Sequence, residues 1–316
     1  MIVRPEAMDF TQQHFSAIIY GAPGVGKTTL ALSAPKPLLI DFDGGVSRVK
    51  AAHRCPTIMP ADYEEVNKDI HNAAEMKEFE TIVLDTGGAF VTYLKDWAMR
   101  TKTDAKMKNG QFNALKGFGY VKSEFAAFTD HIKNVLHKNV IYVFHSVEQA
   151  DRDGNSQQRL MCEGAARNTV WNGVDFGGYV QMIGTKRVIC FTPEEEYFAK
   201  GTHGIEGRVD IPTIGAMDKN DFMTGLFERA RASIVAEKDE NDAIRAAYDL
   251  AMSSAREMVD AVTDIDTAND AFAAISTLTH ALTSKQETWA LLNAKCKNIG
   301  LKFDVVSKQF ITAEEK

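Results

Sequence analysis

Residues 21–30 read GAPGVGKTTL, preceded by the apolar run SAIIY at 16–20. A glycine-rich turn between a buried strand and a helix leaves few folds open. Such a strand lies inside a parallel sheet whose faces are covered by helices. The spacing Gly21-x-x-x-x-Gly26-Lys27-Thr28 also implies a chemistry. Its glycines let successive backbone N–H groups turn inward around an anion. Lys27 adds a point charge, Thr28 adds a hydroxyl suited to a hard cation, and the helix start adds its positive pole. Gly21, Ala22, Pro23, Gly24, Val25, Gly26, Lys27, Thr28 and Thr29 are therefore expected to cradle the phosphates of ATP with Mg2+.

A second apolar strand, TIVLDT at 81–86, ends in Asp85, the expected partner of Thr28 in holding Mg2+. The next residue is Thr86, so a base that activates water must come from elsewhere. PLLIDFDGG at 37–45 offers Asp41 and Asp43, which point the same way if the strand continues through both. Either orients the attacking water or caps the turn at Gly44–Gly45, and Asp43 is the one assigned to catalysis. A further strand, VIYVFHS at 140–146, ends in His145 and Ser146.

This order of features resembles a RecA-type ATPase core. The chain is similar, more closely, to phage nucleotide-binding proteins of the Sak-type branch of single-strand annealing ATPases. The segments HSVEQADRDG, VDFGGYVQMIG and EYFAKGTHG carry that likeness, which spans about residues 10–225. It implies an α/β fold: a RecA-like P-loop NTPase core, a mostly parallel sheet flanked by helices. It also implies a Mg2+-dependent ATPase that binds single-stranded DNA and promotes annealing or strand pairing as a homo-oligomer. Asp43 matches the catalytic acid, and His145, with Ser146 competing, matches the γ-phosphate sensor. Lys200 matches a lysine that reaches the nucleotide of a neighbouring subunit. A single-stranded-DNA-binding protein is the further partner implied. The chain departs from the family in using aspartate where the base is usually glutamate, and histidine or serine where the sensor is usually glutamine.

Between the second acidic strand and the sensor strand lies RTKTDAKMKNGQFNALKGFGYVK, residues 100–122. Lys102, Lys106, Lys108 and Lys116 alternate with Phe112, Phe118 and Tyr120. Cations that track phosphates, interleaved with rings that stack on bases, describe a single-strand surface. The competing expectation is a solvated lysine-rich loop whose rings pack on the core. Residues 148–172 carry Arg152, Arg159 and Arg167 against four acids. Position alone makes this a second DNA loop. As a lid over phosphates it would instead suit a small-molecule kinase or transferase, the main alternative. A third possibility is a nucleotide-dependent switch that recruits replication partners.

The net charge of −7 supplies no global pull toward nucleic acid, though a local basic segment can act within an acidic chain. No apolar run approaches the roughly 20 residues of a membrane span, and the N-terminus lacks a secretory pattern. A cytoplasmic protein without membrane contact is expected. The four cysteines are scattered without a metal-binding spacing and read as small buried hydrophobes. Residues 1–228 are expected to form the ATPase core and 229–316 a helical extension. Three amphipathic stripes mark the extension: Ile244 to Val262, Phe272 to Leu282, and Trp289 to Ile299. The third is expected to open on a capping box, Ser284-x-x-Glu287, and to stop at Gly300.

Overall fold

The computed structural model describes residues 7–150, 154–163 and 166–313. It divides into two compact units, Asp9–Ser233 and a second that groups the described residues before Asp9 with those from Ile234 onward.

The first unit is built on one sheet. Its strands are β1 (Ser16–Gly21), β2 (Pro37–Asp41), β3 (Thr57–Ile58), β4 (Thr81–Asp85), β5 (Asn139–Ala150), β6 (Ser156–Leu160), β7 (Phe176–Ile183), β8 (Lys186–Cys190) and β9 (Arg208–Ile211). Among the described residues the order is β3-β2-β4-β5-β1-β7-β8-β9, with β6 paired to β5. The six strands from β3 to β7 run parallel, while β6, β8 and β9 pair antiparallel. Every residue of β1 and β4 is buried, as a strand covered on both faces requires.

The helices of this unit are α1 (Lys27–Ala31), α2 (Tyr63–Ile70), α3 (Ala73–Met76), α4 (Gly87–Thr101), α5 (Ala114–Asp130) and α6 (Ala166–Asn172). Tyr63 of α2, Phe90 of α4 and Phe125 and Phe128 of α5 pack as one aromatic cluster over Tyr142. Strand β5 stands between β1 and β4, with Gly21 opposite His145 and Asp85 opposite Val143. The carboxyl ends of β1, β2 and β4 thus gather at one sheet edge beside His145 of β5, a strand expected to end at 146 that instead runs on to Ala150. This is the mostly parallel, helix-flanked α/β core expected of a P-loop NTPase.

Several expectations change. Helix α2 ends after Ile70 at the C-cap His71, and the chain resumes a short helix as α3. The segment 100–122, read as a lysine-rich loop, turns helical at Ala114, and α5 continues into a π-helical turn, His131–Val135. The polar segment 148–172 holds the end of β5, all of β6 and α6, so much of it is a β-hairpin and a short helix.

The second unit contains most of α7 (Phe222–Asp260), then α8 (Ile265–Ser276), α9 (Ser284–Asn298) and a hairpin of β10 (Leu301–Asp304) with β11 (Gln309–Thr312). The unit boundary, and the division expected at 228/229, both fall inside α7. Ala255, Val259, Val262, Ile275, Leu292 and Cys296 form the core, joined by Phe310 of the hairpin. Ile244, Leu282 and Ile299, placed on the apolar stripes, are exposed instead. The capping box sits on α8, where Asp264 and Thr267 bond reciprocally. Ser284 is already helical, and its hydroxyl accepts from the Ala281 N–H. Cys162, Cys190 and Cys296 are buried and Cys55 half-buried, all as free thiols. No described helix is long and apolar enough to cross a membrane.

Candidate nucleotide site

The chain leaves β1 at Gly21 and turns through Gly24 and Gly26, at φ of 79° and 83°. These left-handed angles suit glycine and aim the loop amides toward one point. The Lys27 side chain is folded back across the loop. Only 5% of the residue is exposed, and its ammonium donates to the Ala22 carbonyl at 2.8 Å. It also stands 3.3 Å from Nδ1 of His145. Ammonium hydrogens only donate, so that imidazole nitrogen accepts. Burial lowers the Lys27 pKa to about 8, against the opposing pull of the Asp85 carboxylate. Burial, and then the Lys27 charge, also lower the pKa of His145.

The Thr28 hydroxyl donates to Oδ2 of Asp85 at 2.6 Å, and the Thr86 N–H donates to Oδ1 at 3.1 Å. Burial raises the Asp85 pKa, and these two bonds partly offset the rise. A hydroxyl and a carboxylate in contact are hard oxygen donors of the kind Mg2+ takes, with phosphate and water completing its shell. Among the described residues no cluster of three or more His, Cys, Asp or Glu could hold a metal.

Asp41 and Asp43 have separate environments. Strand β2 ends at Asp41, so strand alternation does not extend to Asp43. Asp41 is buried and accepts from the N–H groups of Gly45 and Val46, at 2.9 and 2.8 Å. It caps the turn. Asp43 is partly exposed, accepts from the Gly45 N–H at 3.1 Å and pairs with Arg48 at 3.2 Å. A Cβ on Gly45 would lie 2.8 Å from Nη2 of Arg48, 2.9 Å from Oδ1 of Asp43 and 3.4 Å from Oδ2 of Asp85. Asp43, Arg48 and the Asp85 carboxylate therefore surround one point.

A cavity of about 180 Å3 is lined by Lys27, Thr28, Asp85, His145, Gly45 and Arg48. A second, of about 620 Å3, shares Gly24, Gly26, Thr29 and Arg48 with it and adds His53 and Arg187 among its walls. The first has the polar lining of a phosphate site, and the second has room for a nucleoside. Arg48 and Arg187 were not singled out from the sequence. The Arg187 guanidinium occupies the space that a Cβ on Gly26 would need and donates to the carbonyls of Val25 and Pro212.

Other sequence candidates lie elsewhere. Lys200 donates to the Val174 carbonyl at 2.5 Å, before the start of β7 and away from the phosphate loop of its own chain. In the segment 100–122, Lys106 and Lys108 are exposed, while Lys116 pairs with Asp104 at 2.9 Å. Lys102 lies over the rings of Trp97 and Tyr120. Phe112, Phe118 and Tyr120 are half-buried against the core, and Phe112 meets Phe118 edge-on at 5.1 Å. The rings thus follow the packing alternative more than the stacking one. Gly117 is buried in α5 where the Phe112 ring crosses it. Arg159 donates to Gln157 within β6, and Arg167 of α6 donates to Gln149 of β5. Arg152 lies outside the described residues.

Residues 13–203 match a family described as an AAA domain. A stretch of 134 residues is 28% identical to the SPbeta prophage-derived uncharacterized protein YorG of Bacillus subtilis (strain 168). It covers 41% of this chain and 40% of that relative, so less than half of either protein is matched. A crystal structure of a KaiC-like protein from Pyrococcus horikoshii OT3 aligns over 63% of this chain and 90% of its own, at 10% identity and a TM-score of 0.35. The AAA-domain match takes in the phosphate loop, Asp85, His145 and Lys200. The chain belongs to that AAA-domain family of P-loop ATPases.

Proposed function

We propose that the chain is a phage-type, Mg2+-dependent ATPase that acts on single-stranded DNA as a multimer, in annealing or strand pairing. The observation that carries the ATPase reading is the meeting of Lys27, Thr28, Asp85 and His145 around one cavity at the strand ends, with Asp43 beside the Gly45 that lines it. The loop amides and Lys27 hold the β- and γ-phosphates, for which the ammonium leaves the Ala22 carbonyl. Thr28 and Asp85 would hold Mg2+, which neutralises phosphate charge when bound. Asp43 takes a proton from water as the water oxygen bonds to the γ-phosphorus. The β–γ bridging oxygen then leaves with ADP. The Nδ1 of His145, now beside Lys27, senses whether the γ-phosphate is present.

The DNA reading is supported by the exposed Lys106 and Lys108, by the Sak-type resemblance, and by the prophage origin of a relative. With its rings half-buried, the segment offers phosphate contacts before base stacking. Lys200 would act only from a second copy, and a single-stranded-DNA-binding protein is the further partner proposed. The test is the ATPase rate with and without single-stranded DNA, across protein concentration. Stimulation by DNA with a steeper than linear concentration dependence is expected. A rate indifferent to DNA would overturn the DNA assignment and return the kinase and switch alternatives.

A further inference from the structure

We propose that Arg48 is exchanged between Asp43 and the terminal phosphate of a bound nucleoside triphosphate, so that the triphosphate itself uncovers the Asp43 carboxylate. The inference rests on the nucleotide-binding reading of this site. Arg48 closes the 3-10 turn Gly45–Arg48, and its Nη2 lies 3.2 Å from Oδ2 of Asp43. The pair is open to solvent, with the Arg48 side chain 67% exposed, so little holds the guanidinium there. Arg48 lines both the phosphate cavity and the adjoining larger one. A guanidinium grips phosphate oxygens through two parallel N–H groups, a stronger arrangement than its single contact with Asp43.

The carboxylate is held so that the exchange frees one oxygen alone. Oδ1 of Asp43 accepts from the Gly45 N–H, and Asp41 pins the same turn through Gly45 and Val46. When Arg48 leaves, the turn keeps its shape and Oδ2 loses its partner. A diphosphate lacks the γ-phosphate and leaves Arg48 on Asp43. Arg48 is thus a positioning residue that distinguishes triphosphate from diphosphate.

The test is binding by the full chain, with Mg2+, of ADP and of a β,γ-imido ATP analogue that is not hydrolysed. Arg48→Ala is expected to weaken the analogue about tenfold, the scale of one charge-assisted contact, and to leave ADP unchanged. Arg48→Lys restores part of the loss. Asp43→Asn is expected to tighten the analogue in the native chain and to do so less once Arg48 is alanine. Equal tightening in both backgrounds would mean a general charge effect and would overturn the exchange. Equal weakening of both nucleotides by Arg48→Ala would also overturn it. If the native chain bound neither nucleotide, the underlying reading would fall and the exchange with it.

Discussion

Lys27 must be charged to hold a phosphate, yet burial makes that charge costly. Its pKa is lowered to about 8 in the free chain, and a bound triphosphate pulls it back up. Affinity for nucleotide is therefore full below pH 8 and lost as pH rises through that value. The decline approaches tenfold per pH unit until the bound-state pKa is passed. Calorimetric titrations at pH 7 and 9, in buffers of different ionisation heat, should show the loss together with proton uptake. Equal affinity at both pH values would contradict this. At this scale the motif residues were legible because their chemistry is local: Lys27, Thr28 and Asp85 each end or follow an apolar run. Arg48 and Arg187 were not. Neither sits in a pattern, and only the return of β8 beside β7 and the turn after β2 bring them to the loop.

Among the elements, α5 shows how tertiary packing overrides local composition. Its glycines and lysines read as a loose loop, yet the chain is helical from Ala114 and Gly117 lets the Phe112 ring cross the helix. Gly117→Ala should cost about 1–3 kcal/mol by overpacking. Gly119→Ala meets no atom within 4 Å and should stabilise by about 0.5–1 kcal/mol through helix propensity. Urea midpoints of the two variants check this, and equal shifts of the same sign would contradict the packing. Strand ends were similarly hard to place. Nothing in PLLIDFDGG marks Asp41 as the last strand residue, although the hydrogen bonds it accepts from the following turn end β2 there.

Across the whole molecule, the parallel sheet was legible because apolar runs alternate with helical spacing, and chain order places the loops at one edge. The β10–β11 hairpin was not, since LKFD and QFIT are short and join a core already claimed by α8 and α9. The unit holding the sheet carries the buried Asp85 carboxylate, the proposed metal ligand, at a cost in stability. Burial raises the Asp85 pKa, so the ionised group destabilises the nucleotide-free fold. Asp85→Asn keeps an acceptor for Thr28 and should raise the thermal midpoint of the nucleotide-free chain by roughly 2–4 °C. The same variant should lose the Mg2+ dependence of nucleotide binding. Both are read from melting curves with and without Mg2+ and nucleotide, and an unchanged Mg2+ dependence would move the metal elsewhere.

The proposed binding of single-stranded DNA rests separately on surface charge. Changing Lys106, Lys108 and Lys116 together to alanine should flatten the dependence of DNA affinity on salt by about 2 in the log–log slope, at ~0.7 per phosphate contact. Fluorescence anisotropy at several salt concentrations measures it, and normal binding by the triple variant would remove this segment from the DNA surface.

The most direct test of the account is calorimetric titration of the full chain with ATP and Mg2+, beside the Lys27→Ala variant. The native chain should bind one nucleotide, more weakly when Mg2+ is chelated. The variant should lose about 100-fold in affinity, as expected for a charge-assisted phosphate contact in a buried site. Equal affinity in the two chains would contradict the phosphate site.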